Sequence, residues 1–288
     1  MSTKRDGLAI AVDVGNSRIK FGLFHINGDM SAGNPLPACL HSQIVPLGDP
    51  IDWSLMQSWP EVQRTGSVVG VVAGANPVGV DKVVSSWPAS LGPSPQILSD
   101  SLQFPLQVGV HSPRQVGIDR LLNAVAANAI RSKDRPAVIV DSGTATTVDY
   151  VTRDGAFAGG AILPGFDLCS RALHQYTALL PQIDIREFAE TPTPVGNNTR
   201  DALRSGLFWG QLGGVSELVD QICRHDRELH GLPDEALSTD APVWSHVCLL
   251  VTGGGASLLA RGLGRDLQVF PHLSLQGLVM TAGHVFAW

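Results

Sequence analysis

Charge is scarce in this sequence. Asp, Glu, Lys and Arg make up 16% of the 288 residues, well under the roughly 25% of an average soluble domain. A disordered chain combines low hydrophobicity with high charge, and 44% of these residues are hydrophobic, so disorder is excluded. The shortage of Glu and Lys also excludes a long coiled coil. Acidic residues outnumber basic ones, 26 to 20, which argues against a broad nucleic-acid-binding face. A polyanionic ligand would have to be met locally, by backbone N–H groups, a metal ion or one placed lysine. No apolar run reaches the roughly 18 residues of a membrane span. The run Leu8–Val12 is too short for a signal-peptide core. The cysteines Cys39, Cys169, Cys223 and Cys248 lie far apart, and neither CxxC nor HExxH spacing occurs. A structural zinc site and a zinc protease are therefore not expected. Buried, reduced thiols and a cytoplasmic location are.

What is present is a chain of short strands and helices punctuated by Gly and Pro. Leu8–Val12 and Ile19–Phe24 read as a strand pair around a polar turn. Ser67–Ala73 reads as a buried strand and Gly79–Trp87 as a helix. Helical spacing from Ile118 to about Ser132 marks an amphipathic helix. Strands are expected at Ala137–Val140, Thr146–Thr152, Phe157–Leu163 and Val247–Thr252. Helices are expected at Asp167–Leu180, Thr199–Ile222 and Ala256–Gly262. Short strands are expected near Gln96–Leu98 and Leu106–Val110, while much of Ile26–Pro60 and Pro88–Val110 carries no clear period.

One internal similarity outweighs any single motif. Ala9-Ile10-Ala11-Val12-Asp13-Val14-Gly15-Asn16 matches Ala137-Val138-Ile139-Val140-Asp141-Ser142-Gly143-Thr144. Each is an apolar strand, then Asp-x-Gly, then a second strand. The repeat predicts two related α/β domains, residues 1–115 and 116–288, each presenting an acidic, glycine-bearing turn to a shared cleft. Glycine in such a turn lets backbone N–H groups approach an anion. Asn16, Ser17 and Thr144 add short polar groups, and Lys20 adds a point charge suited to phosphate. A carboxylate at a strand end can hold Mg²⁺ together with substrate phosphates. Phosphoryl transfer needs these parts, positioning and charge stabilisation above all. Singly, Asp-x-Gly is also an ordinary turn sequence.

Other nucleotide signatures are missing. There is no GxxxxGK[ST], no strand-following GxGxxG and no protein-kinase HRD or DFG set. Gly253-Gly254-Gly255 follows a strand and precedes a helix, a turn that suits an adenosine or phosphate and equally suits no ligand. Asp119, in Val116-Gly117-Ile118-Asp119-Arg120, opens the amphipathic helix. It could take the proton of an attacking hydroxyl, or it could simply cap the helix. Arg120 beside it suits a planar carboxylate.

Taken in order, these segments resemble one family. The residues are Asp13–Lys20, Gly117–Arg120, Asp141–Thr147, Gly159–Gly165, Leu179–Pro181, Gly196–Thr199 and Ser205-Gly206. The chain resembles a type III pantothenate kinase, of the acetate kinase, sugar kinase, heat-shock ATPase and actin superfamily. The resemblance implies two actin-like (ribonuclease H-like) domains with mixed sheets flanked by helices, an ATP cleft between them, and a homodimer. It implies phosphorylation of pantothenate to 4′-phosphopantothenate by ATP, the first step of coenzyme A synthesis, with Mg²⁺ and potassium or ammonium. It places ATP on Asp13, Val14, Gly15, Asn16, Ser17, Arg18, Ile19, Lys20 and Thr144, with Asp13 also near Mg²⁺. It places pantothenate on Gly117, Ile118, Asp119, Arg120 and Thr199, potassium on Asp141, and the general base at Asp119. It implies neither a nucleic-acid nor a membrane partner.

Three residues depart from the family pattern. Ser17 stands where Thr is usual and keeps the hydroxyl. Ile118 stands where Ala is frequent. Val110 stands where a Tyr usually lines the pantothenate pocket, so altered pantothenate affinity is expected. Two other readings accompany the kinase: a non-catalytic regulatory relative, and a kinase for another small hydroxylated acid or a sugar. The set Asp13, Asp119, Arg120 and Asp141 favours catalysis, since a non-catalytic relative has no chemical need for all four.

Overall fold

A computed structural model describes residues 7–26, 35–232, 243–263 and 267–287. The chain divides into two compact units, residues 1–130 with 272–288, and residues 131–271. The compact units part after Ile130, fifteen residues beyond the 115/116 division expected from the sequence. The helix that begins at Ile118 stays with the first unit, and the last helix of the chain returns to it. Both helices bury apolar faces there.

The first unit is built on β1, Leu8–Val14, buried at every residue. It lies between antiparallel β2, Arg18–His25, and parallel β4, Val69–Gly74. An edge strand β3, His41–Pro46, and a short β5, Gln96–Ile97, complete the order β3-β2-β1-β4-β5. Alternate residues of a strand face opposite sides of its sheet, and β1 uses this to build two different layers. Leu8, Ile10, Val12 and Val14 join Phe21, Leu23, Met56, Val62, Val72 and Val83 in one apolar cluster. Helices α1 (Trp53–Gln57), α2 (Pro60–Thr65) and α3 (Pro77–Ser86) supply that side. Ala9, Ala11 and Asp13 point to the other side. There α4, Ile118–Ile130, and α8, Leu273–Phe286, pack on each other and on the sheet. Small residues on β1 and β2 admit the close approach: Gly22 of β2, opposite Ala11, lies directly under Leu275 of α8.

The second unit repeats the arrangement. β6, Ala137–Ser142, lies between antiparallel β7, Ala145–Val151, and parallel β9, Cys248–Thr252, with β8, Phe157–Pro164, outside β7. The order β8-β7-β6-β9 reproduces β3-β2-β1-β4, so the sequence repeat is a repeat of structure. The expected α/β class, mixed sheets flanked by helices, holds in both units. The flanking helices here are α5 (Phe166–Gln175), α6 (Thr199–Leu229) and α7 (Ala256–Gly262). On α6, Phe208, Leu212, Val215, Val219 and Cys223 are buried at helical spacing against Val138, Val140, Phe166 and Leu259.

Several boundaries shift. α6 continues seven residues past Ile222, to Leu229, because the buried stripe continues through Cys223 and Asp226. α5 stops at Gln175 instead of Leu180: the His174 ring nitrogen bonds Leu180 O at 2.8 Å, and Pro181 disfavours helix at the residue before it. No strand spans Leu106–Val110, where Pro105 and the exposed Gln107 and Gly109 offer little to pair or bury. β3, α1, α2 and α8 have no counterpart in the sequence reading.

Asp226 extends the buried stripe of α6 and is itself fully buried. Tyr150 donates to it at 2.6 Å and Arg153 at 2.7 Å. Burial pushes the carboxyl up, but the hydrogen bonds from Arg153 and Tyr150 outweigh it and hold the group below its ordinary range. The Tyr150 phenol is pushed up, by burial first and by its bond to Asp226 second. Asp226→Ala strands a guanidinium and a phenol, and it should cost about 3–5 kcal/mol in urea denaturation. Because the folded carboxyl titrates below its unfolded value, this contribution is whole above the ordinary value of 3.8. It is lost as pH falls through the lower folded value. The stability gap between wild type and Asp226→Ala should narrow in that acid window; a constant gap refutes the assignment.

Candidate functional site

The two strand-end aspartates occupy equivalent places. Asp13 pairs across β1 with Lys20 on its antiparallel neighbour and Ala73 on its parallel one. Asp141 pairs with Thr147 and Thr252 in the same two senses.

In the first unit Gly15, Asn16 and Ser17 form the turn, closed by Gly15 N–H to Arg18 O at 2.9 Å. Val14 and Ile19 are buried in the core and so anchor the turn from both ends. Their side chains cannot meet a ligand; their backbones and the exposed Asn16 and Arg18 can. Asp13 is almost fully buried, and Lys20 Nζ lies 3.5 Å from its Oδ2. Ser274 Oγ donates to the same oxygen at 2.7 Å. Sequence reasoning passed over Ser274, which no local motif marks. The turn is also pinned from outside: Leu47 N–H reaches Ser17 O and Ala75 N–H reaches Val14 O.

The second turn is tighter. Gly143 and Thr144 span β6 and β7, with Gly143 N–H on Ala145 O at 3.0 Å. Asp141 and Thr144 are half-buried. Two glycines clasp this turn. Gly253 has φ +92°, and a Cβ there would meet Asp141 Oδ1 at 2.4 Å and Ser142 O at 2.5 Å. At Gly165, a Cβ would meet Gly143 O at 2.3 Å and Thr144 O at 2.6 Å. The Gly253–Gly255 stretch therefore packs on the acidic turn, and Gly255 N–H bonds Ser142 O at 2.9 Å. Gly165 ends the motif quoted above, yet its seat on the turn is visible only in three dimensions.

Asp119 and Arg120 stand in the first turn of α4. Asp119 Oδ1 accepts the Arg120 backbone N–H at 2.9 Å. The carboxylate folds back over Gly117, where a Cβ would lie 2.6 Å from Oδ1. All four residues Gly117–Arg120 are half-buried. Capping and chemistry are thus compatible: the helix start fixes the carboxylate without burying it. Thr199 is exposed at the first position of α6, capped by Asn198, and Val110 lies half-buried outside any strand or helix. The structure thus brings Asp13 and Lys20 together in one unit and Asp141 and Thr144 in the other.

Among the described residues, no three His, Cys, Asp or Glu side chains cluster as a metal site. A divalent ion at Asp13 would have one protein carboxylate, with phosphates and water completing its shell, a usual arrangement for Mg²⁺. The donor chemistry fits. At Asp141 a monovalent cation would find a half-buried carboxylate kept clear by the missing side chain of Gly253.

The sequence profile of the type III pantothenate kinase family matches residues 9–221. The type III pantothenate kinase of Rubrobacter xylanophilus is 32% identical over 94% of this chain and 96% of its own. That of Persephonella marina is 28% identical over 94% and 96%. That of Acidiphilium cryptum is 33% identical over 75% and 72%. Among the described residues, no helix is long and apolar enough to cross a membrane.

The clasp on the second turn is open to test. Gly165→Ala forces its methyl into two backbone carbonyls, and overpacking of this kind costs about 1–3 kcal/mol. A lower midpoint in urea is expected, with the protein still folded in buffer. An unchanged midpoint would show that the turn has room to move.

Proposed function

This chain belongs to the type III pantothenate kinase family, an enzyme family of phosphotransferases, and from that premise we propose that it phosphorylates pantothenate with Asp119 as the general base. The observation that carries the reading is the duplicated acidic turn, Asp13 and Asp141 at matching strand ends, together with a carboxylate fixed at a helix start. Phosphoryl transfer asks little covalent chemistry of a protein and much positioning. Backbone N–H groups of the Gly15–Ser17 turn, the Lys20 ammonium and the Thr144 hydroxyl are suited to the phosphates of ATP. Asp13 would hold Mg²⁺ through its waters or directly. Mg²⁺ held there would neutralise charge that develops on the phosphate oxygens.

Asp119 takes the proton of the attacking pantothenate hydroxyl. The bond from Arg120 N–H to its Oδ1 sets the orientation of the carboxylate. The Arg120 guanidinium faces the pantothenate carboxylate as a bidentate partner. Gly117, Ile118 and Thr199 complete the pantothenate contacts. With Val in place of a ring at position 110, pantothenate affinity is altered from the family pattern. Asp141 holds potassium or ammonium beside the second turn.

A second copy of the chain is the partner we assign. Ile162, Leu168, Leu173, Tyr176 and Leu179 are exposed on β8, on α5 and just beyond it, with Leu179 90% accessible. Exposed apolar residues in such number mark an interaction face.

Release of ADP on adding pantothenate to enzyme, Mg²⁺ and ATP tests the activity, and its fall when sodium replaces potassium tests the cation. Asp119→Asn should lose at least ~10²-fold in kcat while binding ATP normally. Turnover near wild type in that variant sinks the base. Asp141→Ala should retain the fold and lose the potassium response; an undiminished response moves the cation elsewhere.

A further inference from the structure

Ser274 lies 261 residues beyond Asp13 in sequence, yet its hydroxyl sits 2.7 Å from Asp13 Oδ2. Both residues are buried, at 4% and 3% exposure. Parity explains the encounter. Asp13 shares a face of β1 with Ala9 and Ala11, and α8 covers that face, with Ser274 in its first turn. An O–H···O⁻ bond of this length is charge-assisted and strong. Lys20 Nζ approaches the same Oδ2 from 3.5 Å. Among the described residues no hydrogen bond reaches Oδ1. His272, just before α8, is held below its ordinary pKa by burial and by the Lys20 charge, so the start of α8 adds no second cation beside Lys20 at neutral pH.

We propose that Ser274 is a positioning residue for the nucleotide turn: its hydroxyl holds Asp13 Oδ2 and thereby keeps Oδ1 available as the acceptor toward Mg²⁺-bound ATP. The inference rests on the reading of Asp13 as the carboxylate of the ATP turn. A carboxylate rotates broadly about its last torsion. Lys20 is partly exposed, and an ammonium on a four-carbon stem is a point charge that does not select one carboxylate oxygen. A buried hydroxyl on a rigid helix removes that freedom.

The test compares Ser274→Ala, Ser274→Thr, Asp13→Asn and the double variant Asp13→Asn/Ser274→Ala in the full chain. The readouts are calorimetric affinity for a non-hydrolysable ATP analogue in Mg²⁺ and in EDTA, kcat and KM for ATP, and the melting temperature. Loss of a hydrogen bond to a charged group predicts about a tenfold weaker affinity for Ser274→Ala in Mg²⁺, with little change in EDTA. Ser274→Thr keeps the hydroxyl and should stay within about twofold of wild type. The double variant should be no worse than Asp13→Asn, because the two residues act as one unit. Ser274→Ala with wild-type affinity overturns the proposal. So does an equal loss in Mg²⁺ and EDTA that tracks the melting temperature and is not restored by Thr, the mark of a purely structural residue. Asp13→Asn with undiminished affinity and turnover overturns the reading of Asp13 itself, a separate result. Should the alanine variant not fold, Ser274→Cys, close in size but a weak donor, carries the same expectations.

Discussion

A carboxylate buried at the end of a central strand is the constraint around which the first unit is arranged. Such a group is costly to take out of water unless charge and hydrogen bonds meet it. Asp13 meets both conditions through Lys20 on the neighbouring strand and Ser274 on the last helix. Once those partners are required, much else follows. The face of β1 that carries Asp13 must be lined by small residues, Ala9 and Ala11, so that α8 can come close enough. The large residues of β1 go to the opposite face, and three helices are needed to cover them. One buried carboxylate thus dictates which layer is thick and which is thin.

The second unit answers the same problem differently. Asp141 is less buried than Asp13 and is surrounded by absent side chains. A fully buried carboxylate of that unit, Asp226, lies far along α6 and is met by Tyr150 and Arg153. The two units thus share the strand order and the acidic turn but differ around them: Ser274 reaches the first aspartate from α8, while Gly165 and Gly253 pack closely on the second turn.

What was legible in the sequence follows the same physics. β1 and β6 are continuous apolar runs ended by Asp-x-Gly, so strand, turn and repeat could all be read locally. α4 was readable because its large apolar residues, Leu121, Leu122, Val125 and Ile130, recur at helical spacing. β3 was not, because it is an edge strand with Ser42 and Ile44 turned outward, leaving only Val45 buried. α8 was not, because a helix buried almost all round has no periodic contrast to detect. The candidate residues Asp13, Asp119 and Asp141 were named from motifs. The groups that hold them were not, since Ser274 on Asp13 and Gly165 against Thr144 are long-range contacts with no local signature. The compact units part after Ile130 and not at the expected 115/116, because a motif marks a local segment whereas a compact unit is defined by what covers its core.

The return of residues 272–287 to the first unit also orders events during synthesis. Residues 131–271 are contiguous and can close upon themselves as soon as they emerge. The first unit cannot, although residues 7–130 precede the second, because the helix that covers the Ala9, Ala11 and Asp13 face is translated only after residue 271. At about 5–20 residues per second, that face waits on the order of ten seconds. For that interval the sheet lacks the cover of α8 and Asp13 lacks its Ser274 hydrogen bond, a surface that chaperones are suited to shield. The usual amino-to-carboxyl order of domain folding is inverted here, since the first unit is completed only after residues 131–271 have been made.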